Sequence, residues 1–184
     1  MIDIRYTGAR GFTLIELIVT LAILSLIATL AVPSFLSIVT SNRATSATNR
    51  LVSDLNLARS EAIKRTDTVT LCKTDTVASV TGCDAGVAWE DGWVVFVDSD
   101  GDEVIDAGET VLREQGPLPN TVTLDYNSTS QFIDFLPTGR TNNKLGSFSF
   151  CDPDNTVIRQ VAVARTGRVR AEHDEVHFTE TTCS

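Results

Sequence analysis

The sequence predicts an α+β protein in which one long N-terminal helix is followed by an antiparallel β domain. Three observations predict it. Residues Phe12 to Val39 carry a single charge, Glu16. Between Arg43 and Arg65, apolar residues recur at helical spacing. Beyond Arg65, short β-branched and aromatic runs alternate with turn residues.

Composition narrows the class. The chain has 184 residues, a formal net charge of −9 and 42% hydrophobic residues, too apolar for a disordered acidic chain. Four Cys in that length are too few for a small disulfide scaffold. The acidic balance also opposes general nucleic-acid binding, which Lys and Arg drive by neutralising phosphates.

The first element is the apolar run. A bilayer core needs about 20 apolar residues as a helix, and no charge falls between Leu17 and Asn42. A signal-peptide core is shorter, about 7–15 residues. The preceding residues hold Arg5 and Arg10 against Asp3. Positive flanks stay cytoplasmic, which predicts a single-pass protein with its bulk outside. Glu16 costs about 2.5–3.5 kcal/mol on insertion scales, so it is either a tolerated interfacial residue or a charge kept for a partner.

Arg10-Gly11-Phe12-Thr13-Leu14-Ile15-Glu16 with the apolar run resembles the type IV prepilin signal. The resemblance implies a leader, residues 1–11, removed after Gly11 by a prepilin peptidase, and N-methylation of the new first residue, Phe12. It implies that Glu16 pairs with the N-terminal amine of a neighbouring subunit during assembly. It also implies a helix Pro, here Pro33. A carboxylate paired with an ammonium is less costly to bury than a lone one.

The helix continues. Ala44, Ala47, Leu51, Leu55, Ala58 and Ala62 mark one face, with Arg43, Arg50, Arg59, Lys64 and Arg65 among or opposite them as a solvated basic side. One helix from Phe12 to Arg65 would run roughly 80 Å, with a transmembrane or filament-core part at 12–40 and an amphipathic part at 41–66. Pro33 should bend it or locally open it. The amphipathic face must be covered by the next domain.

Residues 67–184 read as the β domain. Its expected strands are Thr68–Lys73, Trp93–Val97, Thr110–Glu114, Thr121–Tyr126, Gln131–Leu136, Gly146–Cys151 and Val157–Arg165, separated by turns such as Pro137-Thr138-Gly139. Ala58-Arg59-Ser60-Glu61-Ala62, Asp91-Gly92-Trp93, Pro137-Thr138-Gly139-Arg140 and Ala164-Arg165-Thr166-Gly167-Arg168 extend the resemblance to the GspH/FimT group of minor pilins and pseudopilins. That group implies a type IV pilin-like fold and a structural, non-enzymatic subunit without cofactors. Its place would be the bacterial inner membrane with the β domain in the periplasm. The implied partners are other pilins or pseudopilins, the prepilin peptidase, an inner-membrane assembly platform and membrane lipid. The subunit would initiate or cap a type IV pilus or a type II secretion pseudopilus.

Four Cys allow three pairings. Cys72 with Cys83 would close a loop, and Cys151 with Cys183 would staple the tail. Zinc is the competing reading, and neither pair has CxxC spacing. Asp98, Asp100, Asp102, Asp106 and Glu109 match a calcium-loop pattern that fails where Glu103 replaces the turn Gly. An acidic hairpin is the plainer reading, with weak calcium binding at Asp98, Asp100, Asp102 and Glu109 the other. Arg159, Arg165, Arg168 and Arg170 form a basic cluster without acids. Gly167-Arg168-Val169-Arg170 matches the GRxR pattern associated with DNA binding in FimT-type pilins. DNA uptake through Arg165, Arg168 and Arg170 is therefore the alternative function, and a charged edge hairpin the structural one. His173 to His177 misses H-E-x-x-H at Asp174, and Asn127-Ser128-Thr129 is a sequon that matters only in a glycosylating pathway.

Overall fold

The computed structural model describes residues 12–75, 81–128, 130–142, 146–172 and 183. The chain divides into two units, residues 1–39 and 40–184. Helix α1, Leu14–Arg65, contributes to both.

In the first unit the helix begins two residues inside the expected Phe12, because Thr13 caps it. Thr13 Oγ1 accepts the Glu16 N–H at 3.3 Å and its carbonyl accepts the Leu17 N–H at 3.2 Å. The helical backbone passes through Pro33 without a break. Thr20, Ser25, Thr29 and Ser37 each turn their hydroxyl onto a carbonyl three residues earlier, at 2.8–2.9 Å. Those bonds satisfy the hydroxyls internally, as an apolar surrounding demands. The apolar side chains are outward, Leu14 75% and Phe35 66% exposed, far more than water tolerates without a covering surface.

In the second unit the rest of α1 lies on two antiparallel sheets of four strands. One has the order β3-β2-β1-β5, built from Val111–Gln115, Trp93–Val97, Val69–Lys73 and Phe132–Phe135. The other has the order β4-β6-β7-β8, built from Thr123–Tyr126, Gly146–Cys151, Val157–Val163 and Val169–Glu172. Seven of these strands fall within a residue or two of expectation. The eighth, β8, pairs Val169 with Val163 and Arg170 with Ala162.

The core explains the helix sequence. Ala44, Ala47, Leu51, Leu55, Ala58 and Ala62 are all buried. They pack in one cluster with Leu71, Trp93 and Val95 of the first sheet and Phe148, Phe150 and Val161 of the second. The small Ala residues let the helix approach both sheets, and the Leu and Phe residues supply most of the area, about 1.5–3 kcal/mol each. The reverse face of the first sheet holds a smaller cluster of Cys72, Val94 and Phe96 with Cys83, Ile105 and Val111. Two disulfides, Cys72–Cys83 and Cys151–Cys183, join the four Cys.

Helix α1 itself carries one buried acid. Asp54 is 4% exposed. It accepts the Trp93 indole N–H at 2.9 Å and meets Arg113 at 3.6 Å. Burial pushes its carboxyl above the ordinary 3.8, and the Trp93 bond, Arg113 and Arg50 only partly pull it back. A raised folded pKa means that the folded state holds the proton more tightly than the unfolded one. This group therefore weakens the fold at neutral pH, and the penalty disappears as pH falls through the raised value. Asp54→Asn keeps an acceptor for Trp93 and removes the charge. Melting temperature measured between about pH 7 and pH 4 should rise less on acidification in Asp54→Asn than in the native chain. An identical pH response would reject this role.

Candidate functional site

The candidate residues fall in two regions. The first is the start of α1. Glu16 sits in its first turn, where the N-terminal end of the helix dipole favours a negative charge. The Thr13–Glu16 pair also has the spacing of a capping box. Phe12 is 82% exposed just before the cap, whereas Gly11 and the leader lie outside the described residues. The helix is long enough, and apolar enough over its first part, to cross a membrane.

The second region is one end of the β domain, where α1 finishes. Two turns there are built alike. Leu136 accepts from Gly139 N–H and donates to the Arg140 carbonyl, both at 2.8 Å. Ala164 accepts from Gly167 N–H at 2.8 Å and donates to the Arg168 carbonyl at 3.0 Å. Both glycines have φ of +73°, the left-handed value that closes a three-residue hairpin loop. The turns touch: Thr141 N–H donates to the Arg165 carbonyl at 3.2 Å, and a Cβ on Gly167 would overlap the Gly139 carbonyl oxygen. Arg59 of the helix donates from Nε to that same carbonyl at 3.1 Å.

Arg140, Arg165 and Arg168 are thereby exposed on adjoining turns around Arg59, and Arg170 follows on β8, also exposed. None of these five arginines makes a salt bridge among the described residues. Arg59 and Arg140 are not among the site residues expected from the sequence; the repeated Thr-Gly-Arg, 138–140 and 166–168, signals Arg140, and no sequence repeat signals Arg59. Arg159 does not join this group. It lies near the other end of β7, where its guanidinium approaches Ser41 Oγ at 3.5 Å. The helix arginines are also less purely solvated than expected, since Arg43 donates to Thr121 Oγ1 at 3.0 Å.

The acidic loop occupies the same end of the domain, between β2 and β3. The carboxylates of Asp98, Asp100 and Asp102 lie within 4.8 Å of one another. Asp98 is 1% exposed and accepts from Thr70 Oγ1 at 2.8 Å and Gly101 N–H at 2.9 Å. Burial pushes its carboxyl up, those two bonds lower it, and Glu109 and Asp100 add to the rise. Glu109 instead turns back onto the loop, accepting from Ser99 N–H at 2.7 Å and Asp106 N–H at 3.1 Å. Glu103, standing where the calcium-loop pattern has Gly, has φ of +68°. The hairpin thus closes on bonds from its backbone N–H groups to the Asp98 and Glu109 carboxylates. The His173–His177 motif lies outside the described residues.

Comparison with known proteins agrees with this architecture. Residues 47–167 match the family described as type II transport protein GspH, and residues 7–32 match the prokaryotic N-terminal methylation motif. No curated protein matches the chain. Among solved structures, the type IV minor pilin FimU of Pseudomonas aeruginosa is similar, with a TM-score of 0.58 and 19% identity over 78% of this chain and 96% of that one. The minor pseudopilin EpsH of the Vibrio cholerae type 2 secretion system is similar at 0.50 and 14% identity, over 71% of this chain and 97% of that one. These likenesses show the type IV pilin-like fold, and the methylation motif with the apolar helix fits inner-membrane anchoring. The family match covers well over half of the chain, and the chain belongs to the family of the type II transport protein GspH.

Proposed function

We propose that the chain is a minor subunit that initiates or caps a type IV pilus or a type II secretion pseudopilus at the inner membrane. The observation that carries the reading is the outward apolar face of α1 in the first unit, joined in one chain to a β domain with a closed core. Such a face must be covered by lipid before assembly and by neighbouring helices after it. Processing by a prepilin peptidase after Gly11 would free the Phe12 amine for methylation and for pairing with Glu16 of another subunit. The β domain would then be displayed on the periplasmic side, with the assembly platform acting on the membrane helix. Recovery of the chain, beginning at methylated Phe12, in the sheared-filament fraction tests the reading, and its absence from that fraction would remove it.

A second reading is favoured by one observation, the convergence of Arg140, Arg165 and Arg168 on touching turns. That surface could take a nucleic-acid backbone, with Arg170 beside it, in DNA uptake. The acidic loop at the same end opposes such binding, which ranks it second. If DNA is the ligand, Arg168→Gln with Arg170→Gln should abolish gel retardation at moderate salt. The two changes should also flatten the salt dependence by a slope of about 1.8. Retardation unchanged in the double variant would exclude the patch.

A further inference from the structure

We propose that the end of the β domain at which α1 finishes is a self-complementary docking surface for a second copy of this chain, with the arginine turns of each copy set on the acidic loop of the other.

The register of the first sheet places both charges at this end. Val69, the first residue of β1, stands opposite Val97 on one side and Phe135 on the other. Beyond Val97 the chain enters the acidic loop, and beyond Phe135 it enters the turn that ends in Arg140. Strands β2 and β5 flank β1, so the two exits lie two strand spacings apart, about 10 Å. The second sheet adds Arg165 and Arg168 to the basic side, because their turn touches the one before Arg140. The face is thus positive at one margin and negative at the other.

These charges are not spent on each other. Asp100, Asp102 and Asp106 are exposed. Neither they nor Arg140, Arg165 and Arg168 form a salt bridge among the described residues. The sequence between Asn142 and β6, which starts at this end, contains no acid. Strand β8 runs away from it, from Val169 opposite Val163 to Glu172 opposite Gln160. Cys183 is bonded to Cys151, at the far end of β6. The large apolar side chains that stay exposed in the second unit, among the described residues, add one to each margin. Ile63, 48% exposed, lies against Gly139, and Val104, 45% exposed, stands in the acidic loop.

Symmetry selects the partner. A face with unlike charges at its two margins fits itself across a two-fold axis, because the axis brings each margin of one copy onto the unlike margin of the other. A purely basic face would need a foreign acidic partner, whereas this chain supplies its own. Guanidinium groups take carboxylates through paired N–H donors, which the exposed Asp side chains of the loop can accept. A pair closed in this way would cover the arginine turns, and any other partner of those turns would first have to separate the two copies.

The test is sedimentation of the full chain in neutral detergent micelles at about 10 mM salt, where charges act over about 30 Å. The native chain should form a species of two copies and nothing larger, and the pairing should weaken as salt is raised. Arg140→Glu with Arg168→Glu should weaken it about tenfold or more, because like charges then face each other. Asp100→Lys with Asp102→Lys should do the same. Arg140→Gln with Arg168→Gln, which removes charge without adding repulsion, should weaken it less. An equimolar mixture of the two charge-reversed chains should pair as the native chain does, since every contact is again between unlike charges. All four positions are exposed, and restoration in the mixture itself shows that both variants are folded. Pairing that ignores salt and both reversals would place the contact on the apolar segment and overturn the proposal. So would weakening without restoration in variants that melt as the native chain does. Growth beyond two copies would overturn the two-fold arrangement. A native chain that stays single at every concentration, whether or not it retards duplex DNA, would overturn the proposal outright.

Discussion

Glu16→Ala should enter the membrane at least as readily as the native chain and be depleted about tenfold or more from the filament fraction. The two halves of this result have opposite physical origins. Insertion improves because a carboxylate in the span costs about 2.5–3.5 kcal/mol on insertion scales. Incorporation suffers because removing one member of a buried ion pair strands the other, at about 3–5 kcal/mol. Even half of that loss exceeds the 1.4 kcal/mol that corresponds to a tenfold change in association. Thr13 Oγ1 accepts the Glu16 backbone N–H at the helix start; the reciprocal capping-box bond, from the Thr13 N–H to the Glu16 carboxylate, would be a competing role for this side chain, and Glu16→Gln separates the two. Gln serves a capping box as well as Glu does but carries no charge. Depletion of both variants supports pairing with a neighbour's amine. Normal incorporation of Glu16→Gln, with depletion of Glu16→Ala alone, would reduce Glu16 to a helix cap.

Gly167→Ala should destabilise the β domain by about 3 kcal/mol, at the upper end of the ordinary range for a single substitution. Part of that cost is the left-handed backbone, φ +73°, which a side chain adopts at roughly 1–2 kcal/mol. The rest is steric, because the new Cβ would overlap the Gly139 carbonyl oxygen, backbone that cannot swing aside. The touching turns would have to separate, loosening the Arg59 bond to the same carbonyl. Gly139→Ala shares the backbone cost, but its Cβ would meet the Ile63 Cδ1 end of a flexible side chain at 2.6 Å. It should therefore be the milder change. Denaturant unfolding of both variants checks the order, and equal losses would show that the contact between the turns contributes little.

The helix and its core face were legible in the sequence because Ala44, Ala47, Leu51, Leu55, Ala58 and Ala62 repeat at helical period and no competing pattern interrupts them. The strands were legible where both faces are buried, as in Trp93–Val97, all five of whose residues are inside. Strand β8 was not. Val169-Arg170-Ala171-Glu172 is a short edge strand with two charged residues, so its period of two is nearly hidden. The basic site was half legible. Proximity in sequence grouped Arg159 with Arg165, but β7 carries them to different ends of the domain. Proximity in sequence also separated Arg59, Arg140 and Arg168, which the two glycine turns bring together. The acidic loop showed its acids, but not that Glu109 would spend its oxygens on backbone N–H groups.

The burial of Trp93 and Trp89 has a practical consequence. The chain has only two tryptophans, and both belong to the second unit. Trp93 is fully inside and hydrogen-bonded to Asp54, and Trp89 stands edge-on to Phe148 at 4.9 Å. Indole emission therefore reports on the β domain alone and carries no contribution from the apolar segment. The domain's integrity can be followed by light in micelles, vesicles or filaments alike, without taking the protein out of its surroundings.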